Sequence, residues 1–314
     1  MGMSLSMFLL ILYAPLSLSN VVTEFSQNNC ILFFLDETTP VIPGILHARN
    51  NNQNQNRYKP ICQTFKDAGQ YTFATLYDTD NKIPVFSAYT YKGSYEQNIK
   101  RTWKFEPQSA EKSTYHVSRG HIFPMLHAHD LDTKSSTCTL TNIVPQKTTF
   151  NRGSWCAMEN KVKEIMNERC NKNKDKPMAY VVTGAVPGKD QIKNRVNIPE
   201  FMWTAFCCEN KLGEWVSMAH WAENVDEDTN RENPNKKTIP PITLDNLHDN
   251  LKNYYSSTDI LPKIFPDKCK KLVEGSSGGS ERECDPDNFC DTTPELPNWM
   301  SEIRKTVSSV CNIL

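Results

Sequence analysis

The sequence predicts a single α+β domain, in which a mixed sheet packs against helices around one core. The chain has 314 residues, and 38% of them are hydrophobic, so it is long and apolar enough to bury a core. Runs typical of strands and runs typical of helices occur along the chain without a clear linker between them. No repeat of about 20 to 50 residues is present, which argues against solenoids and propellers.

The charge balance limits the classes of function. Lys and Arg number 35, and Asp and Glu number 36, which gives a formal net charge of −1. A near-neutral chain is not held on nucleic acid or membrane by its gross charge, so a polyanion must bind to a local basic surface. No apolar run of about 20 residues follows the N-terminal segment, and no membrane span is predicted in the mature chain.

The N-terminus has the pattern of a secretory signal peptide covering residues 1–19. An apolar stretch runs from Met7 to Leu18, and the small residue Ser19 follows it. This stretch is short for a bilayer span, and its length suits a leader that is cleaved near Ser19. No Lys or Arg precedes it, and a buried N-terminal helix is the alternative. We therefore expect a secreted, extracellular protein whose mature chain, 20–314, is one domain with a disulfide-pinned C-terminal extension.

Cysteine usage also indicates an oxidising compartment. All 11 cysteines lie beyond the expected cleavage point, and none of them forms a CxxC pair. This spread favours a disulfide framework over a zinc site. The odd number leaves one thiol over, and the adjacent Cys207 and Cys208 are expected to bridge to different partners.

The first half of the chain is predicted to contain several strands. The polar stretch 50–56 is expected to be a surface loop. Residues 71–91 are rich in aromatic and β-branched side chains, which predicts two strands joined by a turn at 78–82. A further short strand is expected within 115–123.

The second half combines helices with buried strands. Residues 154–169 contain no Pro or Gly and carry apolar residues at helical spacing, which predicts a helix. A second helix is expected at 245–255, with Asp245 as its N-cap. Buried strands are predicted at 178–186 and 198–208. Long polar loops are predicted at 223–241 and 274–294.

Three short blocks carry the side chains that phosphodiester cleavage requires. The first is Arg-Gly-His at 119–121, the second ends at Asn151, and the third contains Glu159. Cleavage needs a base that activates water, a cation that stabilises charge on the phosphate, and cationic donors. Arg119 and His121 are two residues apart and therefore share one side of a strand. An asparagine oxygen suits Mg²⁺, and a carboxylate eight residues later, about 80° around the helix, can hold metal-bound water.

The same blocks resemble the DNA/RNA non-specific endonuclease family. SRGHIFP and the longer TNIVPQKTTFNRGSWCAMEN are similar to the family's Asp-Arg-Gly-His, followed by Asn-x-x-Pro-Gln, Asn-x-Gly-x-Trp and a Glu. The similarity covers roughly residues 70–220, and the long second block makes it specific. It implies a ββα-metal (His-Me) finger core. It also implies a metal-dependent hydrolase that cleaves DNA and RNA with little sequence specificity.

The resemblance implies a role for each matching residue. His121 is the general base, and Asn151 is the direct ligand of Mg²⁺, for which Mn²⁺ or another divalent cation is the alternative. Glu159 is the carboxylate that orients metal-bound water, and Arg119 contacts the phosphate or the transition state. The further substrate-binding positions are Arg101, a second phosphate contact in the family-like segment KRTWKFEP, and Asn142 and Gln146, both in a supporting role.

Ser118 departs from the family pattern, which commonly has Asp at this position. If the Asp mainly organises the loop around the histidine, a serine keeps a hydrogen bond and activity survives at a lower level; if the Asp sets the charge balance, the chain is a weak nuclease or an inactive relative. The alternative function is therefore an extracellular protein that retains the nuclease fold and binds nucleic acid or another partner without turnover. The stretch 147–176 holds eight Lys or Arg and four acidic residues, which fits either phosphate contacts or an ordinary solvated helix.

Overall fold

The computed structural model describes residues 20–47, 51–52, 54–64, 70–97, 117–173, 176–227, 238–255 and 260–272. The predicted leader 1–19 and the predicted loop 274–294 lie outside these residues. The single-domain organisation of 20–314 therefore stays a prediction. None of the described helices is long and apolar enough to cross a bilayer.

Strands dominate the described part of the chain. They are β1 Asn20–Val21, β2 Leu46–His47, β3 Asn51–Asn52, β4 Tyr58–Thr64, β5 Tyr71–Asp78, β6 Ile83–Tyr91, β7 Val117–His121, β8 Ile143–Lys147, β9 Lys172–Asn173, β10 Lys176–Pro177, β11 Ala179–Ile192, β12 Val196–Glu209, β13 Trp215–Glu223, β14 Pro241–Ile242 and β15 Lys271–Leu272. The helices are α1 Leu131–Ser136, α2 Thr148–Phe150, α3 Cys156–Arg169 and α4 Leu244–Tyr255. Helical turns of 3₁₀ type are Gln27–Phe33, Leu35–Glu37, Met125–His127, Leu140–Asn142 and Asp267–Lys270, and a π-helical turn is Asn151–Trp155.

Among the described residues, a nine-stranded sheet forms the centre of the fold. Its order is β1-β4-β5-β6-β11-β12-β13-β14, and β15 also pairs with β13. All neighbours are antiparallel except β13 and β15, so the sheet is mixed. The other β-pairs described are the two-residue pairs β2–β3 and β9–β10 and the hairpin β7–β8.

Both faces of the sheet are apolar, and different elements cover them. Along β12, Trp203 and Cys207 belong to one hydrophobic cluster. This cluster also contains the buried leucines of α4 and apolar side chains of the N-terminal segment. Met202 and Cys208 belong to the opposite cluster, which contains the buried side chains of α3. The alternation follows from the two-residue period of a strand. Burial on both faces accounts for the near-continuous apolar composition of β12.

The β7–β8 hairpin and α3 together form a ββα unit. It packs on the face of the sheet that carries Met202 and Cys208. The register pairs Val117 with Lys147 and His121 with Ile143. The turn Asn151–Trp155 leads from α2 directly into α3. The predicted α+β class, with a mixed sheet and a ββα core, is confirmed.

The elements predicted from local patterns appear at the expected places. β5 and β6 confirm the hairpin within 71–91, β7 confirms the strand within 115–123, and α3 confirms the helix. The strands predicted at 178–186 and 198–208 are longer than expected. They continue into one hairpin, β11–β12, whose outer ends are polar and carry no apolar pattern.

The N-cap prediction for the last described helix was wrong by two residues. α4 begins at Leu244, and Asp245 lies in its first turn. The Thr243 hydroxyl oxygen accepts a hydrogen bond from Asn246 N at 3.1 Å, which is the contact expected of an N-cap. Thr and Asp are both favoured as N-cap residues. The choice between them depends on where the buried leucines place the start of the helix, which is Leu244.

Disulfides join the layers of the fold. Cys170–Cys208 links the end of α3 to β12, Cys207–Cys269 links β12 to the C-terminal turn, and Cys30–Cys62 links the N-terminal turn to β4. Cys138 and Cys156 are also disulfide-bonded. The prediction that Cys207 and Cys208 bridge to different partners is confirmed. It follows from their positions on opposite faces of β12.

Removing the bridge between α3 and the sheet is expected to destabilise the protein. A Cys170→Ala/Cys208→Ala variant should lose about 2–4 kcal/mol of unfolding free energy, because the bridge closes a loop over a sequence separation of 38 residues. The measurement is urea unfolding followed by circular dichroism. An unchanged midpoint and slope would show that this bridge does not contribute to stability.

Candidate functional site

The β7–β8 hairpin presents the Arg-Gly-His segment. Ser118 pairs with Gln146, Arg119 with Pro145, and His121 with Ile143. His121 is buried, with 8% of its surface exposed, while Arg119 is partly exposed. Gly120 lies against the Gln146 side chain, and a Cβ at residue 120 would overlap that amide. The glycine of this segment is therefore required by close packing across the hairpin.

A hydrogen bond joins this hairpin to the start of the following helix. The Asn151 amide nitrogen donates to the Ser118 hydroxyl at 2.8 Å, and that hydroxyl faces the Gln146 carbonyl oxygen at 3.4 Å. Asn151 is 4% exposed. Since Nδ2 is the donor in this contact, the orientation of the amide is fixed, and no described residue donates to its Oδ1. The contact leaves a neutral oxygen available as a ligand.

A widened helical turn holds Asn151 in this position. Residues Asn151–Trp155 form a π-type turn, and Gly153 has non-helical dihedral angles (φ −101°, ψ −117°). The Glu227 carboxylate accepts hydrogen bonds from Ser154 N, at 3.0 Å, and from the Ser154 hydroxyl. A Cβ at residue 153 would overlap Glu227 Oε2, so the glycine allows the carboxylate to approach the turn.

The segment 224–227, which follows β13, also fixes the hairpin. The buried Asn224 side chain accepts from Lys147 N at 2.8 Å and donates to the carbonyl oxygens of Pro145 and Pro199. Glu227 N donates to the Thr149 hydroxyl at 2.8 Å. These contacts tie β8, β12 and the turn before α3 into one unit. Sequence reasoning missed them, because the contacts to Pro145, Lys147 and Thr149 span more than 70 residues, the contact to Pro199 spans 25, and none belongs to a local motif.

Glu159 lies in the first turn of α3, and a buried histidine supports its backbone. His127 Nε2 lies 3.0 Å from the Glu159 carbonyl oxygen, and its Nδ1 lies 2.8 Å from the Tyr89 hydroxyl. A carbonyl can only accept, so Nε2 carries the proton and Nδ1 accepts from the tyrosine. Burial lowers the pKa of His127 to about 4, which keeps the ring neutral and this pattern intact.

The Glu159 carboxyl has an unusual environment. Burial raises its pKa to about 8, while Trp155 has a smaller lowering effect. The residue keeps part of its surface exposed, although protein surrounds the carboxyl group. With its pKa raised in this way the carboxyl is largely protonated near neutral pH, and a nearby positive charge would favour the ionised form.

The other histidines of this region do not form a metal site. His129 Nε2 lies 3.1 Å from Asp130 Oδ2, and the Asp130 carboxylate caps α1 by accepting from Thr133 N. In the described residues, no group of three His, Cys, Asp or Glu side chains could hold a metal ion.

A model of the DNA/RNA non-specific endonuclease family matches residues 53–254, which is more than half of the chain. The chain belongs to this family. It is 28% identical over 246 residues to the endonuclease domain-containing 1 protein of Mus musculus, covering 68% of this chain and 44% of that protein. The protein of that name from Homo sapiens is 28% identical over 186 residues, covering 50% and 36%. The chain spans less than half the length of these curated relatives.

A chain from a solved structure also aligns with this chain. The crystal structure of the EndoG/EndoGI complex, which addresses the mechanism of EndoG inhibition, contains a chain with a TM-score of 0.47 and 16% identity. The alignment covers 73% of this chain and 88% of that one.

Two of the endonuclease-family positions to which a supporting role is assigned, Asn142 and Gln146, lie in the interior of the fold. Asn142 has no exposed surface; its amide binds Phe123 N and O, Ser87 and the Thr137 carbonyl oxygen. All its bonding capacity is used to hold the loop after β7, so it has no group left for substrate. Gln146 is also fully buried, packed on Gly120, and its amide has no partner among the described residues.

The cationic residues expected to contact substrate are only partly described. Arg101 lies outside the described residues. Within the basic stretch, Lys147 pairs with Asp226 at 3.2 Å and Arg169 with Glu168 at 3.7 Å. Some of these charges are therefore balanced locally, as in an ordinary solvated surface. Lys163, one turn after Glu159 on the same helix face, lies 3.9 Å from Glu96.

Ser118 is expected to matter through its hydrogen bond to Asn151. A Ser118→Ala variant leaves Asn151 Nδ2 without its acceptor and should lower nuclease activity about fivefold to tenfold, corresponding to about 1–1.4 kcal/mol. A Ser118→Asp variant keeps an acceptor and should retain activity. Initial rates on plasmid DNA, beside thermal unfolding of each variant, provide the measurement. Equal rates for Ser118→Ala and wild type would show that this contact does not position Asn151.

Proposed function

We propose that the chain is a secreted, metal-dependent endonuclease that hydrolyses phosphodiester bonds of DNA and RNA with little sequence specificity. The observation that carries the proposal is the Ser118–Asn151 hydrogen bond in a member of this family. It ties the neutral oxygen ligand to the strand that bears His121. Ser118 lies about 10 Å along the strand from His121, and by the two-residue period their side chains point to opposite sides of β7, so the bond fixes Asn151 against this strand but does not itself set its distance from the histidine.

His121 acts as the general base in this proposal. Its place on a paired strand fixes its backbone, and its low exposure keeps competing solvent away from most of the ring. A neutral imidazole takes the proton from the attacking water as the oxygen–phosphorus bond forms. Arg119, which is on the same side of β7, stabilises the negative charge that grows on the phosphate oxygens.

The residues around Asn151 fit a hard divalent cation. Asn151 Oδ1 would hold the ion, and Glu159 would accept hydrogen bonds from its water ligands. When bound, Mg²⁺ supplies Lewis-acid stabilisation of charge on the phosphate and on the leaving oxygen. The hydrogen bonds from Ser154 to Glu227 hold the backbone of the turn that carries Asn151. The His127 bond to the Glu159 carbonyl oxygen holds the backbone of Glu159.

Broad substrate use follows from the kind of contact that these residues make. Arg119 and the proposed Arg101 bind phosphate oxygens, which are the same in DNA and RNA and at every base. The disulfides fit an oxidising compartment, in agreement with the proposed secretion.

A second candidate function is an extracellular binding protein without turnover. Two observations favour it: Ser118 replaces the family's usual Asp, and the net charge of −1 supplies no general attraction for nucleic acid. It predicts nucleic-acid or protein binding that is indifferent to metal ions and to His121. The enzyme is favoured because Ser118 still makes the hydrogen bond to Asn151.

Metal removal should abolish the proposed activity. Plasmid DNA and a long RNA should both be degraded with Mg²⁺ by the disulfide-bonded mature chain, and cleavage should fall below detection with excess EDTA. The product ends should be 5′-phosphates, which 5′-phosphate-dependent ligation or mass spectrometry of short substrates would detect. Readdition of Mg²⁺ after EDTA is the control. Degradation that continues unchanged in EDTA would contradict the assigned metal role.

A further inference from the structure

The outer part of the β11–β12 hairpin forms a two-stranded arm beside the proposed site. β11 pairs with β6 only as far as Gly184, and β12 pairs with β13 only from Phe201 onward. Residues 187–199 therefore pair with each other beyond the end of their neighbours. We call residues 187–199 the arm.

Internal contacts hold the arm in one shape. The buried Asn197 side chain accepts from Gly188 N at 2.9 Å and donates to the Gly188 carbonyl oxygen at 2.8 Å. Asn197 N donates to the Asn81 carbonyl oxygen at 2.9 Å, which supports the arm from the β5–β6 turn. Gly188 is needed because a Cβ there would lie 2.5 Å from the Ile198 carbonyl oxygen.

The tip of the arm is exposed and basic. Lys189, Lys193 and Arg195 are exposed, and Asp190 is the acidic residue among them. Lys193 and Asn194 both adopt left-handed backbone angles, with φ of 48° and 55°, in the turn that joins the strands. A rigid basic tip in a near-neutral protein is a local positive surface of the kind that a polyanion requires.

The base of the arm lies next to the strand pair that carries Arg119. The Asn224 amide nitrogen donates to the Pro199 carbonyl oxygen at 2.9 Å and to the Pro145 carbonyl oxygen at 3.1 Å. Pro199 is at the base of the arm, and Pro145 pairs with Arg119. From Pro199 to Arg195 the strand extends about 13 Å, the length of roughly four base-pair steps.

We propose that the arm binds the phosphate backbone of the nucleic-acid substrate several nucleotides away from the cleaved bond. The proposal rests on the proposed nuclease function. Phosphate binding by Lys189, Lys193 and Arg195 adds affinity for long substrates without reading base sequence. Short substrates that end before reaching the arm do not use it.

The test measures nucleic-acid binding by chains that all carry His121→Ala, because this substitution slows cleavage during the measurement. The arm variant is K189Q/K193Q, and the matched control is K211Q/K252Q, which removes two exposed lysines, one in the turn between β12 and β13 and one on α4. Fluorescence anisotropy with a 30-base-pair duplex should show affinity reduced roughly tenfold at 0.1 M salt and a log–log salt slope smaller by up to about 1.8. The control should match the unsubstituted background.

Substrate length provides the second readout, now in chains that retain His121. The arm variant should raise KM for the 30-base-pair duplex and leave kcat/KM for a tetranucleotide unchanged. If the arm variant matches the control on the long duplex, the proposal is overturned while the nuclease function stands. If the unsubstituted chain neither binds nor cleaves, the nuclease function fails and the arm proposal fails with it. Equal weakening toward polyglutamate of matched charge would assign the arm to acidic proteins and overturn the nucleic-acid assignment.

Discussion

Replacement of His121 by alanine is expected to lower the rate of plasmid cleavage by about 10²–10⁴-fold, the range typical of a lost general base. His121 lies on the paired strand β7 and is 8% exposed, so the variant removes the base from a site whose frame remains in place. The effect should appear mainly in kcat, because binding depends on phosphate contacts elsewhere. Single-turnover rates with excess enzyme over plasmid would separate the chemical step from product release.

The matched control for this variant is His129→Ala. His129 lies in the same part of the chain and contacts Asp130, whose carboxylate caps α1. It should cleave at the wild-type rate, while both variants should unfold cooperatively and keep the wild-type circular dichroism spectrum. A His121→Ala chain that cleaves as fast as His129→Ala would remove His121 from the mechanism.

Replacement of Asn151 by alanine is the second change with a large expected effect. The variant loses the oxygen proposed to hold the cation, so activity at 1–10 mM Mg²⁺ should fall at least about 100-fold, as expected when several kcal/mol of metal-ion stabilisation is lost. The Mg²⁺ concentration for half-maximal activity should also rise. An Asn151→Asp variant keeps an oxygen ligand and should retain more activity than the alanine variant. Rates measured across a Mg²⁺ titration provide the measurement.

Asn160→Ala is the control for the Asn151 variants. Asn160 lies on α3, the helix that follows the turn of Asn151, and its amide binds the Cys156 carbonyl oxygen. Its removal affects only a local helical contact, so the Mg²⁺ titration should be unchanged. Equal Mg²⁺ dependence for Asn151→Ala and Asn160→Ala would place the cation elsewhere in the protein.

The local patterns of the sequence were sufficient to predict the elements that carry the proposed site. The β5–β6 hairpin, the strand with His121 and the helix with Glu159 were predicted from alternation, turn residues and helical periodicity. These signals are local, because a strand or a helix must match its own apolar spacing to the core. The same locality explains why the family motif could be found without a structure.

Contacts between distant segments could not be predicted in this way. Glu227 supports the turn at Ser154, and Asn224 joins Pro145 to Pro199, but a single Asn or Glu in a polar stretch carries no sign of its partner. The stretch 223–241 was expected to be a loop because of its polarity. Residues 224–227 form no helix or strand, as expected, but Asn224 is buried and bonded to the functional hairpin.

A motif also cannot distinguish a residue that contacts substrate from one that supports the residues around it. Asn142 belongs to the same block as Asn151, and both are asparagines of similar burial. The difference is in their bonds: the Asn142 amide is saturated by backbone and Ser87, whereas Asn151 Oδ1 has no described donor. Only the packing around each amide reveals which oxygen remains available.

The central claim is that this chain turns over nucleic acid although Ser118 stands in place of an acidic residue. The most direct measurement is the conversion of supercoiled plasmid to open-circular and linear forms by the disulfide-bonded wild-type chain with Mg²⁺, beside His121→Ala. We expect the wild type to convert the supercoiled plasmid, the His121→Ala variant to convert it at least about 100-fold more slowly, and neither to convert it in the presence of EDTA. An intact, correctly folded wild type that leaves the plasmid supercoiled would contradict the central claim and favour the binding protein.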